Sequence, residues 1–259
     1  MQVSAADITA WIGAFLWPFF RIGAMLMSMA VIGTRALPVR VRLLLALAIT
    51  VAIVPLTAPA PAVDPLSAEG LWIGAQQILI GVAMGFALRL VFAALDLAGE
   101  SIGQLMGLGF ASLMDPQNGV QVPAVSQFYI LLATLMFLSL NGHLLWIETL
   151  AGSFQAIPVG AGGLSPEAVW AIVLFPAQIF GWAVRMALPV IAALLVVNVA
   201  FGVLSRASPQ LNVFSVGFPV TLFVGLLLIF ITLPAVLNKV APLTHDGLAL
   251  VTQILRGGR

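Results

Sequence analysis

Six apolar stretches dominate the chain and decide what it can fold into: Ile8–Gly33, Leu43–Pro59, Leu71–Leu95, Gln127–Ile147, Val169–Leu204 and Val213–Leu237. A helix rises about 1.5 Å per residue and needs about 20 apolar residues to cross the hydrocarbon core of a bilayer. Backbone groups in lipid have no water to bond, so such runs become helices or the strands of a closed barrel. Their length and the absence of strict alternation predict an all-α, polytopic membrane-type protein. Charge points the same way. Only 7% of the residues are charged, against about a quarter in a soluble domain. That is too little to cover a globule of 259 residues, so the apolar surface must meet lipid or partner subunits.

The connections are short and rich in turn residues: Thr34–Arg42, Ala60–Gly70, Pro158–Pro166 and Ser205–Asn212. None leaves room for a soluble domain. Val169–Leu204 is far longer than one crossing requires, and Pro176 and Pro189 interrupt it with Arg185 between them. Pro18, Pro55, Pro219 and Pro234 fall inside other runs, and each removes a helical hydrogen bond and predicts a kink. Arg35, Arg40 and Arg42 place the first connection in the cytoplasm, with Arg206 on the same side. The tail carrying Lys239, Arg256 and Arg259 then falls outside after six crossings, against the same rule. The first residues lack the basic stretch of a cleavable signal peptide, so the first segment is expected to be retained.

Asp96–Val122 is the most informative stretch. Gly99, Gly103 and Gly107 recur every fourth residue and give a smooth face where another helix can approach. Gly107 and Gly109 weaken the helix, and Asp115-Pro116 and Asn118-Gly119 end it with strong turn signals. Phe110, Leu113 and Met114 are the apolar side chains of the loop that results. Such a loop fits a mobile element plugging a conduit, although an ordinary interhelical turn is the simpler reading of spacing alone. Arg89, Asp96 and Glu100 fall within roughly 20° of one helical face. They are candidate subunit-contact charges, or else they emerge at the membrane surface. Arg21 and Arg185, each inside an apolar run, are expected to find structural partners on neighbouring helices.

Enzymatic signatures are absent from the sequence. His143 and His245 lie far apart, with no metal-ligand spacing around either. There is no Gly-x-Ser-x-Gly elbow and no phosphate-binding loop, and Lys239 is the only lysine. The reading is a non-enzyme without catalytic, cofactor or metal residues, whose energy for transport comes from partners. Cysteine is absent, which excludes disulfides, and no basic run points to nucleic acid.

The segment Gly107-Leu108-Gly109-Phe110-Ala111-Ser112-Leu113-Met114-Asp115-Pro116-Gln117-Asn118-Gly119 resembles the hallmark block of the FliR family. These are flagellar biosynthetic proteins whose virulence-secretion counterparts are the SctT-type components. The likeness continues through Ser126-Gln127-Phe128 and Leu138–Leu145, and Ser208–Pro219 resembles a second diagnostic block. The resemblance implies a core component of the flagellar type III protein-export gate in the bacterial inner membrane, at the flagellar basal body. It implies FliP, FliQ, FlhB and FlhA as partners and unfolded flagellar proteins as the cargo. Residues 1–165 would be FliP-like helices with the plug loop, and 166–259 a FliQ-like kinked hairpin and tail. The family's plug maps onto Met106–Gly119. The Ser205–Asn212 turn, with Arg206, Pro209, Gln210 and Asn212, is expected to contact a cytoplasmic-side regulator such as FlhB. A small-solute secondary carrier, which would need inverted repeats and a mid-membrane site, and a scaffold without a pore are the alternatives.

Overall fold

Seven α-helices make up the regular structure of the described residues, apart from one 3-10 turn. In this computed structural model the described residues are 5–34, 37–109, 124–160, 162–208 and 213–257. The helices are α1 (Ala5–Ser28), α2 (Val39–Ile53, followed by the 3-10 turn Val54–Leu56), α3 (Ala68–Leu105), α4 (Ala124–Ser139), α5 (Gly142–Ala156), α6 (Pro166–Ala207) and α7 (Val213–Arg256). Five are long and apolar enough to cross a membrane, and α4 with α5 makes a sixth span if taken as one broken crossing. The chain is an all-α, polytopic membrane-type protein.

Several boundaries differ from those the apolar runs predict. The run Gln127–Ile147 is two helices, because Asn141 adopts the left-handed conformation (φ 56°) and starts a new helix at Gly142. Few residues other than glycine reach that region, and asparagine is among them. α2 begins at Val39, so Arg40 and Arg42 lie in its first turn rather than in a linker. Arg42 then bonds back to the carbonyls of Leu37 and Gly33 at 2.9–3.3 Å and pins the preceding turn. α3 continues to Leu105, well past Leu95. The expected tail from Lys239 is helix as far as Arg256. Buried Val240, Leu243, Leu250, Val251 and Ile254 line that stretch and hold it helical. Helices run through Pro18, Pro176, Pro189, Pro219, Pro234 and Pro242, while Pro55 falls in the 3-10 turn after α2 and Pro166 opens α6.

The chain divides into two compact units. The first comprises Met1–Val91, Asn141–Pro176 and Thr244–Arg259. At its centre α1 and α3 approach until backbone meets backbone: a Cβ at Gly81 would collide with the Arg21 carbonyl. Between them lies Arg21, fully buried. Its Nε donates to Gln77 Oε1 at 2.8 Å, its Nη1 to the Ser153 carbonyl at 2.9 Å and hydroxyl at 3.1 Å, and its Nη2 to the Ile157 carbonyl at 2.8 Å. The Phe154 ring lies 4.3 Å from the guanidinium. Ser153 and Ile157 carbonyls sit at the C-terminus of α5, where unpaired carbonyls and the helix dipole concentrate negative potential. A helix end thus replaces the carboxylate that a buried guanidinium normally seeks. Trp17, also buried, donates to the Gly70 carbonyl at 3.3 Å.

The second unit comprises Phe92–Leu140 and Ala177–Leu243. Phe92 and Phe137 meet edge to face at 6.0 Å, and Leu95, Ala98, Ile102, Ala133, Val190 and Leu194 fill the core. Outside the core the long helices are bare: Val196, Val199, Phe223 and Phe230 are each at least 65% exposed. Exposed apolar side chains of this size belong against lipid or other subunits.

Candidate functional site

α3 stops at a left-handed glycine cap. Gly107 takes φ 81° and its N–H donates to the Gln104 carbonyl at 3.0 Å, while the Leu108 N–H donates to the Gly103 carbonyl at 3.1 Å. These two bonds form the Schellman arrangement, which satisfies the last carbonyls of a helix and requires a residue tolerant of positive φ. Gly107 is therefore the residue that ends α3. A Cβ added at Gly109 would meet nothing within 4 Å among the described residues.

Met106, the last residue before that cap, is completely buried. It seats over Gly225 of α7, where an added Cβ would lie 2.5–2.8 Å from the Met106 side chain. The Leu105 carbonyl accepts a long bond, 3.4 Å, from the Asn198 amide of α6. Met106 and Leu108 also line an apolar cavity of about 370 Å³ with Val125, Phe128, Leu226 and Phe230. On the far side, α4 starts pressed against α3. A Cβ on Gly99 would fall 2.5 Å from the Ser126 Cα, and the Ser126 hydroxyl donates to Asp96. The described residues flanking 110–123 are thus packed, Leu105 and Met106 against α6 and α7, Val125 and Ser126 against α3. Of the predicted plug residues, the structure places Met106, Gly107 and Gly109 together. Phe110, Leu113, Met114, Asp115, Pro116 and Gly119 lie outside the described residues.

The predicted charge stripe is not one uniform surface. Arg89 and Glu100 are exposed, Glu100 with a weak 3.4 Å bond from Gln104, while Asp96 is half-buried and engaged by Ser126. Arg185, expected to meet a partner on a neighbouring helix as Arg21 does, is exposed over Trp182 of its own helix at 5.8 Å. Arg206 is exposed in the last turn of α6; Pro209, Gln210 and Asn212 lie outside the described residues. No group of three or more potential metal-ligating side chains occurs among the described residues. Sequence reading missed Gly225 and Asn198. Asn198 alone carried a signal, as a lone amide in an apolar run.

Residues 12–246 match the family described as bacterial export proteins, family 1. The chain belongs to the FliR family. It is 39% identical to the flagellar biosynthetic protein FliR of Escherichia coli (strain K12) over 91% of this chain and 90% of that protein. FliR of Aquifex aeolicus (strain VF5) is 35% identical over 85% of each chain. FliR of Bacillus subtilis (strain 168) is 31% identical, covering 86% of this chain and 87% of the relative. In FliR terms the capped end of α3, with Met106 seated on Gly225, immediately precedes the segment that carries the family resemblance.

Proposed function

We propose that this FliR-family chain serves the flagellar protein-export apparatus as a membrane-embedded subunit of the export gate, without chemistry of its own. The observation that carries the proposal is a family match running almost end to end, on a chain whose helices are too apolar to stand alone. In the finer reading it sits in the inner membrane at the basal body. There it joins FliP and FliQ around a channel for unfolded flagellar proteins, with FlhB and FlhA as further partners. Residues 1–165 take the FliP-like role and 166–259 the FliQ-like role. Arg89, Asp96 and Glu100 offer charge to neighbouring subunits, and the turn from Arg206 to Asn212 faces FlhB. A small-solute carrier is not favoured by this match.

Met106–Gly119 is proposed as the resting seal. A passage wide enough for an unfolded chain leaks ions unless apolar side chains fill it, and methionine repacks readily around irregular gaps. The packed residues on either side, Met106 on Gly225 and Ser126 on Asp96, support this reading. The test is removal of Phe110–Met114 in a strain lacking its own FliR. Ion conductance, motility and co-purification with FliP and FliQ are read on the same variant. Raised conductance with assembly intact is expected. A variant that assembles and stays as tight as the parent leaves a subunit without a plug, which is the scaffold reading.

A further inference from the structure

One aromatic ring in the second unit holds two cations. Arg185 of α6 and Lys239 of α7 each lie 5.8 Å from the Trp182 ring, and both are exposed. The unit's two described carboxylates are engaged elsewhere, Asp96 by Ser126 and Glu100 by Gln104. Two like charges therefore share one patch of surface, and no carboxylate among the described residues of this unit pairs with either.

Their depth along the helices limits what can balance them. From Arg185 no charged residue follows in α6 until Arg206, an interval of 206 − 185 = 21 residues, or about 31 Å of helix. That matches the roughly 30 Å hydrocarbon thickness of a bilayer. In α7 no charged residue precedes Lys239 at all. The side chains exposed over this interval are apolar: Leu188, Leu195, Val196, Val199 and Val203 on α6. A tryptophan beside a lysine and an arginine at the end of such an interval has the composition of a membrane–water boundary, where indole sits at headgroup level and cations reach the phosphates. In the hydrocarbon centre the same two charges would be prohibitively placed.

We propose that Trp182, Arg185 and Lys239 form a binding site for the phosphate of an anionic phospholipid, marking one boundary of the bilayer with Arg206 at the other. The indole packs on the glycerol region, the two cations bracket the phosphate, and 186–205 with the facing part of α7 runs through the acyl layer. The inference rests only on the chain being membrane-embedded, not on its place in the export gate.

The test uses the full chain in nanodiscs of equimolar phosphatidylcholine and phosphatidylglycerol, released from the disc inside the mass spectrometer, with the lipid it retains counted there. Substituting Arg185→Gln and Lys239→Gln together should lower retained phosphatidylglycerol about fivefold per cation removed. Arg185→Lys should keep it. The chain has no cysteine, so a nitroxide attached at Val184→Cys or Leu195→Cys reports depth cleanly in the otherwise unaltered protein. Leu195 should read near the bilayer centre and Val184 at headgroup level. Unchanged phosphatidylglycerol in the double variant overturns the proposal. Equal depth at the two labels overturns it too, and that measurement stands even if the double variant does not fold.

Discussion

Arg21 is the residue on which the first unit is organised, because a guanidinium without water must spend its donors on the protein. Four of its hydrogen bonds go to one side-chain amide, one hydroxyl and two carbonyls at the end of α5, and none to a carboxylate. Arg21→Met should remove about 3 kcal/mol of stability, since the α5 carbonyls lose their donors in a dry setting. Arg21→Lys should recover only part, because an ammonium cannot reproduce a planar fork of donors. Thermal unfolding of the purified assembly measures both, and equal melting of Arg21→Met and parent would show that the network contributes nothing. Sequence did reveal that Arg21 needed partners, since a charge inside an apolar run cannot face lipid. It could not reveal which, for Gln77 and Ser153 lie 56 and 132 residues away. Arg185 is exposed over Trp182 of its own helix, a placement that no local pattern discloses.

Helix ends, not helix interiors, were the hard part at the scale of elements. Long apolar runs identified every spanning helix, yet the run across Asn141 looked continuous because its hydropathy never drops. The break is a single left-handed residue, and periodicity is blind to it. The end of α3 was read correctly as glycine-weakened, but its seat was invisible until α7 was in place. That seat yields a specific expectation. Gly225→Val must expel Met106, since a Cβ there already collides with its side chain. Destabilisation of about 2 kcal/mol, in the range for overpacking a tight core, should come with altered ion conductance of assembled gates. Normal conductance in a Gly225→Val gate would show that the Met106 seat has no part in sealing. Gly107→Ala, by contrast, should cost about 1–2 kcal/mol through the positive φ alone, read as a lower melting temperature with Met106 still seated.

The whole molecule presents more apolar surface than a free-standing protein tolerates. Only 17% of the apolar window of α6 and 22% of that of α7 is buried within the chain, against 61% for α3. α3 is therefore the most buried of the candidate spans, while α6 and α7 leave most of their side chains for other surfaces. Co-expression with FliP and FliQ should give one stable complex in detergent, whereas the chain alone should aggregate on size-exclusion chromatography. A monodisperse monomer indifferent to both partners would contradict the gate assignment. Composition made this legible from the start, as the shortage of charge. Which helix faces inward was not legible, because α3 and α6 are about equally apolar and differ only in where small residues such as Gly81 and Gly99 let neighbours approach.

The Arg21 network also sets a clock. Its acceptors at Ser153 and Ile157 are 132 and 136 residues downstream, and a ribosome adding about 5–20 residues per second needs roughly 7–27 s to deliver them. For that interval α1 carries a cation with no helix end to receive it, so it cannot rest stably in lipid by itself. Nascent chains stalled before residue 150 should hold α1 in crosslinking contact with the insertion machinery, and chains stalled well beyond residue 160 should release it. Release at the same length in an Arg21→Leu chain would show that the cation plays no part in the delay.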